Sequence, residues 1–244
     1  MKPNAMTFDL FGTLAHLDER RLPRLEIDGV STPSLLAAPF RRLRERVPAA
    51  DLARLLVAYF EARTDLAASG QHEPDRELAP DAHVAKWLER AGIADRDLVR
   101  DLARDQLDAT LRAARPAEHA SRVLEALRTR GCRLGLVSNV SDPDGGRAIL
   151  SNLGLDHYFD VVVFSGDVGW RKPDRRLFER AIALMDAAPE QIAHVGDELR
   201  ADVWGAGRCG MATVWINATG APFDGEYPPA LTIPAIDSMM DAEL

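Results

Sequence analysis

Apolar and polar positions follow two different textures along the chain, and the change falls near residue 116. Residues 5–14 read Ala-Met-Thr-Phe-Asp-Leu-Phe-Gly-Thr-Leu, a short apolar strand running into a Gly-Thr turn. Between residues 15 and 115 no segment reads as a buried strand, and the periodicity is helical. In 51–63, Leu52, Leu55, Leu56, Tyr59 and Phe60 fall at i, i+3, i+4, i+7 and i+8, one face of a helix. Val84, Trp87, Leu88 and Ala91 repeat that spacing, and Leu98, Leu102, Leu107 and Leu111 predict a further helix. Gly70–Pro74 is a polar break between helices.

From residue 116 onward, strand and helix patterns alternate. Arg133–Ser138, Val161–Phe164, Ile192–Val195 and Ala212–Ile216 read as buried strands, with a last short strand near Leu231–Ile233 and a closing helix from Asp237. The clearest helix is 174–186, with Leu177, Phe178, Ala181, Ile182 and Met185 on one face. Pro173 stands just ahead of it, where a fixed φ and a missing N–H cost nothing. Short apolar strands alternating with helices imply a parallel sheet covered on both faces. The pattern therefore predicts an α/β fold, a doubly wound parallel sheet built from residues 1–16 and 116–244. An all-helical domain at 17–115 interrupts it after the first strand. The two ends of such an insertion must lie close together in space.

Composition narrows the function classes. The 244 residues carry a net charge of −8, which argues against broad nucleic-acid binding, because phosphate affinity needs clustered cations. Two cysteines far apart in sequence suit neither a disulfide framework nor a cysteine-built zinc site, so a reducing cytoplasm is the expected compartment. No apolar run approaches the ~18–20 residues that span a bilayer, and the N-terminal residues lack the apolar stretch of a signal peptide. Neither a nucleic-acid partner nor a membrane is expected. The chain is read as a monomer or homodimer.

In an open parallel sheet, ligands bind at the carboxyl ends of the strands, so the informative residues are those just past each strand. Asp9 follows the first, Ser138 and Asn139 the second, Lys172 and Pro173 lie beyond the third, and Gly196, Asp197 and Asp202 follow the fourth. Three carboxylates, a hydroxyl and an ammonium thus gather on one edge. Each has a task if the substrate is a small phosphate ester. Asp9 offers a carboxylate nucleophile. Asp197 and Asp202, with Asp9, offer a site for Mg²⁺, which favours one or two carboxylates plus water and substrate phosphate. Lys172 places positive charge on the transferring oxygens. Gly12 and Thr13 shape the turn that presents Asp9, and Thr13, Ser138, Asn139 and Lys172 are the candidate substrate contacts.

This ordered set resembles the haloacid dehalogenase-like hydrolase superfamily over essentially the whole chain. That family opens with a strand ending in Asp-x-Asp-x-Thr, here Asp9-Leu10-Phe11-Gly12-Thr13. It continues with a Ser or Thr, here Ser138, a Lys, here Lys172, and an acidic Gly-Asp-x-x-x-x-Asp run, here Gly196 to Asp202. The resemblance implies an aspartyl-phosphate intermediate at Asp9 and a magnesium ion held by Asp9, Asp197, Asp202 and the backbone carbonyl of Phe11. It also implies a helical cap that closes over the core and selects the substrate.

One position departs from the family pattern. The phosphatases of the family carry a second Asp two residues after the nucleophile, which moves the proton of the leaving group and of water. Phe11 stands there and cannot. Haloacid dehalogenases also carry an aromatic residue at that point, since halide leaves without a proton, but they dispense with magnesium and usually lack the first Asp of the acidic run. The retained Asp197 and Asp202 favour a magnesium-dependent phosphatase, slowed by the missing acid. A 2-haloacid dehalogenase and a phosphometabolite-binding protein with weakened turnover are the alternatives. His16, in the segment that forms a flap beside the nucleophile in that family, and Glu198, which follows Asp197, are the candidates to replace the proton donor.

Overall fold

The computed structural model describes residues 3–27, 29–48, 51–69 and 73–240. In chain order, β1 (Ala5–Phe8) is followed by β2 (Ala15–Leu17), β3 (Arg24–Ile27) and β4 (Val30–Pro33). Helices α1 (Ala37–Arg46), α2 (Leu52–Ser69), α3 (Ala82–Arg90) and α4 (Arg96–Ala113) come next. β5 (Ala114–Pro116) then pairs with β2, so the segments leading out of and back into the sheet domain run side by side. The rest alternates: α5 (Ala120–Thr129), β6 (Arg133–Ser138), α6 (Pro143–Asn152), β7 (Val161–Phe164), α7 (Ser165–Val168) and α8 (Arg175–Met185). β8 (Ile192–Gly196) leads into a π-helical turn at Leu199–Trp204 and α9 (Gly205–Gly207), then β9 (Ala212–Ile216) and β10 (Leu231–Ile233). The chain divides into two compact units, Met1–His16 with Arg115–Leu244, and Leu17–Ala114.

The first unit is built on a six-stranded sheet in the order β10-β9-β8-β1-β6-β7, with every neighbouring pair parallel. The chain lays β6 and β7 to one side of β1, then returns to lay β8, β9 and β10 on the other. The order therefore reverses between β1 and β8, and a crevice at the carboxyl ends of these two strands is where such a sheet binds ligands. Each of β1 and β8 is buried along its whole length, as strands covered on both faces must be. α8 supplies one cover. Its Leu177, Phe178, Ala181 and Met185 are buried against Val137, Val161 and Val163 of β6 and β7. Asp174 caps α8, accepting from the Arg176 N–H at 2.9 Å.

The second unit has its own core. Phe40, Leu43, Leu55, Val84, Trp87, Leu88, Leu98 and Leu102 form one buried cluster. Trp87 is its centre: its ring lies 5.0 Å from that of Phe40, and its indole N–H donates to the Leu55 carbonyl at 2.8 Å.

Three expectations need correction. The insertion is not all-helical, because it opens with the antiparallel hairpin β3–β4, in which Ile27 faces Val30. None of the hairpin's residues with a described side chain is fully buried, so it leaves no buried apolar strand in the sequence. Phe60, placed on the apolar face of α2, is instead 59% exposed. The closing helix is a 3₁₀ turn at Ile236–Met240. The side chain of Leu52 and residues 70–72 of the expected break lie outside the described residues.

Candidate active site

Asp9 stands one residue beyond β1, and its N–H donates to the Val195 carbonyl at 2.9 Å, which pins the loop to β8. Its Oδ1 accepts from Ser138 Oγ at 2.9 Å and from Lys172 Nζ at 2.5 Å. Among the described residues Oδ2 has no hydrogen-bond partner, so one carboxylate oxygen is fixed and the other is open. Lys172 also donates to Asp202 Oδ1 at 2.6 Å. The ammonium thus lies between two carboxylates, with its side chain 2% exposed.

The neighbourhood sorts these charges. Burial alone would depress Lys172, but Asp202 and Asp9 outweigh it and hold the ammonium well above the ordinary lysine range. Burial would raise Asp202, but Lys172 and the contact with His194 outweigh it, so this carboxyl stays far below the usual range. Burial raises Asp9, Lys172 pulls it back, and the charge of Asp202 pushes it up again. One ammonium cannot fully compensate two carboxylates, and Asp202, with more donors, takes the larger share. Asp197 is raised to about 6 by burial, then by Asp9 and Asp202.

The turn after β1 is shaped for close approach. Gly12 has φ +88°, and a Cβ there would lie 2.3 Å from Asp197 Oδ2. A Cβ on Gly196 would lie 2.2 Å from Asp202 Cγ. Only glycine allows either carboxylate its place. The turn is closed by the Leu10 carbonyl accepting from Ala15 N–H and the Ala15 carbonyl accepting from Gly12 N–H, both at 2.8 Å. The amide and carbonyl of the intervening Phe11 take no part in this bridge.

Asp9, Asp197 and Asp202 each offer a carboxylate oxygen within 4.8 Å of the others. Three carboxylates against one buried ammonium leave the cluster with surplus negative charge, and an all-oxygen donor set of this kind suits a hard divalent cation such as Mg²⁺. Of the other expected contacts, Thr13 Oγ1 donates to Asp197 Oδ1 at 3.4 Å. Asn139 was expected to contact a substrate, and its side-chain amide is engaged by the Lys172 backbone, accepting from its N–H at 2.7 Å and donating to its carbonyl at 3.1 Å. The peptide bond that follows, Lys172–Pro173, is cis. His16 and Glu198 are exposed, and among the described residues neither side chain bonds to a site residue. The Glu198 N–H does, donating to Asp202 Oδ2 at 3.0 Å.

Residues 3–210 match the family of haloacid dehalogenase-like hydrolases. The chain belongs to that family. Among curated relatives of this haloacid dehalogenase-like hydrolase, a phosphoserine phosphatase of Thermus thermophilus is 40% identical over 124 residues, 51% of this chain and 49% of its own length. A glyceraldehyde 3-phosphate phosphatase of Methanothermobacter thermautotrophicus is 34% identical over 127 residues, 51% of this chain and 56% of its own. The chain spans about half the length of the curated relatives it matches. Among solved structures, a 2-haloacid dehalogenase of Pseudomonas syringae pv. tomato matches 99% of this chain and 97% of its own, with TM-score 0.71 and 25% identity.

Three polar residues within this hydrolase's core escaped the sequence reading. Thr7 lies in β1, His194 in β8 and Trp215 in β9. Trp215 donates its indole N–H to the Asp197 carbonyl at 2.9 Å, fixing the backbone under that carboxylate. Thr7 and His194 bond to each other at 2.9 Å, and His194 to Asp202 at 3.1 Å. The only signal for the first two was a polar residue inside an otherwise apolar strand, two positions before Asp9 in one case and three before Asp197 in the other.

Proposed function

We propose that this chain is a magnesium-dependent phosphohydrolase acting on a small phosphorylated metabolite through an aspartyl-phosphate at Asp9. The observation that carries the reading is the Asp9–Lys172–Asp202 arrangement beside Asp197: a half-open carboxylate, a buried cation on its other oxygen, and surplus negative charge alongside. Asp9 Oδ2 attacks phosphorus, and the new O–P bond forms as the bond to the leaving oxygen breaks. The leaving oxygen departs with its electron pair and takes a proton from water, since Phe11 has none to give. Water then attacks the phosphorus of the acyl phosphate, releasing inorganic phosphate and restoring the carboxylate. Lys172 and Ser138 hold Asp9 Oδ1, so the attacking oxygen points one way, and the ammonium stabilises charge on the transferring oxygens. Asp9, Asp197 and the Phe11 carbonyl are the groups assigned to hold the metal. Asp202, already engaged by three donors, holds Lys172. Bound there, the ion offsets repulsion between an anionic nucleophile and an anionic ester.

Retention of both acidic residues and the phosphatase names of the two curated relatives favour this reading over dehalogenation. The aromatic residue at 11 favours the rival. Two half-buried cysteines, both free, accord with a cytoplasmic location, and among the described residues no helix is long and apolar enough to cross a membrane. The test is hydrolysis of an aryl phosphate with added Mg²⁺. Activity is expected to vanish on chelation and in Asp9→Asn. Unchanged turnover in Asp9→Asn rejects the mechanism, and chloride release from a 2-haloacid under chelator establishes the rival. Tight phosphometabolite binding by calorimetry with no turnover on any ester makes the protein a binding module.

A further inference from the structure

We propose that His194 is a positioning residue. Its imidazole, donating from Nε2, fixes the Asp202 carboxylate and through it the Lys172 ammonium on Asp9. The inference deepens the phosphohydrolase reading and rests on it only for its kinetic test.

Thr7 and His194 are register partners on the adjacent parallel strands β1 and β8. Side chains along a strand alternate faces with period two, so Thr7 stands on the face that carries Asp9 two residues later. The imidazole is wholly buried, as is Thr7. Its Nδ1 lies 2.9 Å from Thr7 Oγ1 and its Nε2 lies 3.1 Å from Asp202 Oδ1. The Phe178 ring stands nearly perpendicular to it, 5.2 Å away centre to centre. An ionised carboxylate is only an acceptor, and a bare Nε2 facing it would set lone pair against lone pair. Nε2 therefore carries a proton and donates to Asp202, while Nδ1 bonds to the Thr7 hydroxyl. This gives Asp202 three donors: the Lys172 ammonium and His194 on Oδ1, and the Glu198 N–H on Oδ2. The hydrogen bonds of His194 go to Thr7 and Asp202 and not to Asp9. Its effect passes through Asp202.

Loss of such an orienting partner commonly lowers activity by about 10–100-fold. His194→Leu is expected to lower kcat on an aryl phosphate within that range, with KM changed far less. His194→Gln is expected to restore most of it, because a glutamine amide reaches the place of Nε2. His194→Asn offers the same amide but reaches only the place of Nδ1, so it is expected to remain low. The Gln and Asn variants bury the same group, so their comparison stands even where the Leu variant fails to fold. A Gln variant as slow as Asn, or a Leu variant as fast as the parent, overturns the proposal. An independent arm needs no turnover: the imidazole ¹⁵N spectrum of the unmodified protein is expected to show a proton on His194 Nε2. A bare Nε2 overturns the inference, whereas absence of any phosphatase activity with Nε2 protonated overturns only the phosphohydrolase reading.

Discussion

A phenyl ring stands at position 11, where the proposed mechanism has most use for a proton donor. Phe11 is half-buried, and its side chain offers no proton, while its backbone amide and carbonyl stay outside the bridge that closes the turn. In the proposed mechanism the position therefore keeps the carbonyl assigned to the metal and lacks a proton donor. General acid–base help is worth about 10²–10⁴-fold. Phe11→Asp is expected to raise kcat on alkyl phosphates, whose leaving groups need a proton, far more than on aryl phosphates, whose leaving groups do not. The ratio of the two rates measures it, and an unchanged ratio means that another group already supplies the proton. At this scale Asp9, Ser138, Lys172, Asp197 and Asp202 were legible because each stands at the carboxyl end of a strand or in the connection that follows it, where the fold class alone places ligands. His194 and Trp215 were not, because their partners lie on other elements and only the strand register brings them together. Asn139 was legible as a site residue but not in its task, since nothing in the sequence says that its amide pairs with the Lys172 backbone.

The elements show the same division between what spacing reveals and what it conceals. α8 was legible from its apolar face and from Pro173, and it matters because it begins three residues after Lys172. Its cap, Asp174, accepts from the Arg176 N–H and pairs with the Arg176 guanidinium at 2.8 Å. Asp174→Ala is expected to destabilise the protein by about 0.5–2 kcal/mol, and Asp174→Asn by much less, because asparagine still caps. The bond from the Arg176 side chain holds the Asp174 carboxyl below the usual range. A depressed folded-state value contributes stability that is present above the unfolded value, near pH ~4, and lost as pH falls through the folded one. Thermal denaturation should therefore find the parent's advantage over Asp174→Asn intact at pH 7 and shrinking below pH ~4. The hairpin β3–β4 escaped notice for the opposite reason. Its strands are half-exposed and carry Arg24, Glu26 and Pro33, so no apolar run marks them. The Asp28-Gly29 dipeptide between Ile27 and Val30 was the available signal, a pairing typical of two-residue hairpin connections.

At the scale of the whole molecule, each of the two textures in the sequence holds a hydrophobic cluster of its own. The cluster around Leu177, Phe178 and Val137 draws only on the sheet unit, and the cluster around Trp87, Phe40 and Leu98 only on the inserted unit. A segment of roughly 100 residues is long enough to fold on a single core of its own. Residues 17–114 expressed alone are therefore expected to fold. Trp87 supplies the measurement, because the other tryptophans, Trp170, Trp204 and Trp215, belong to the sheet unit. Trp87 is fully buried, with its indole N–H bonded to Leu55. Its emission in the isolated segment should be that of a tryptophan shielded from water, and urea should shift it to the exposed form in one cooperative step. Far-UV circular dichroism should trace the same midpoint if the helices and the core are lost together. Trp87→Phe should lower that midpoint, because the smaller ring leaves a cavity and the Leu55 carbonyl loses its donor. Emission of a water-exposed tryptophan from the isolated segment before any urea is added would mean that the insertion's core depends on the sheet unit, and that the two units fold as one.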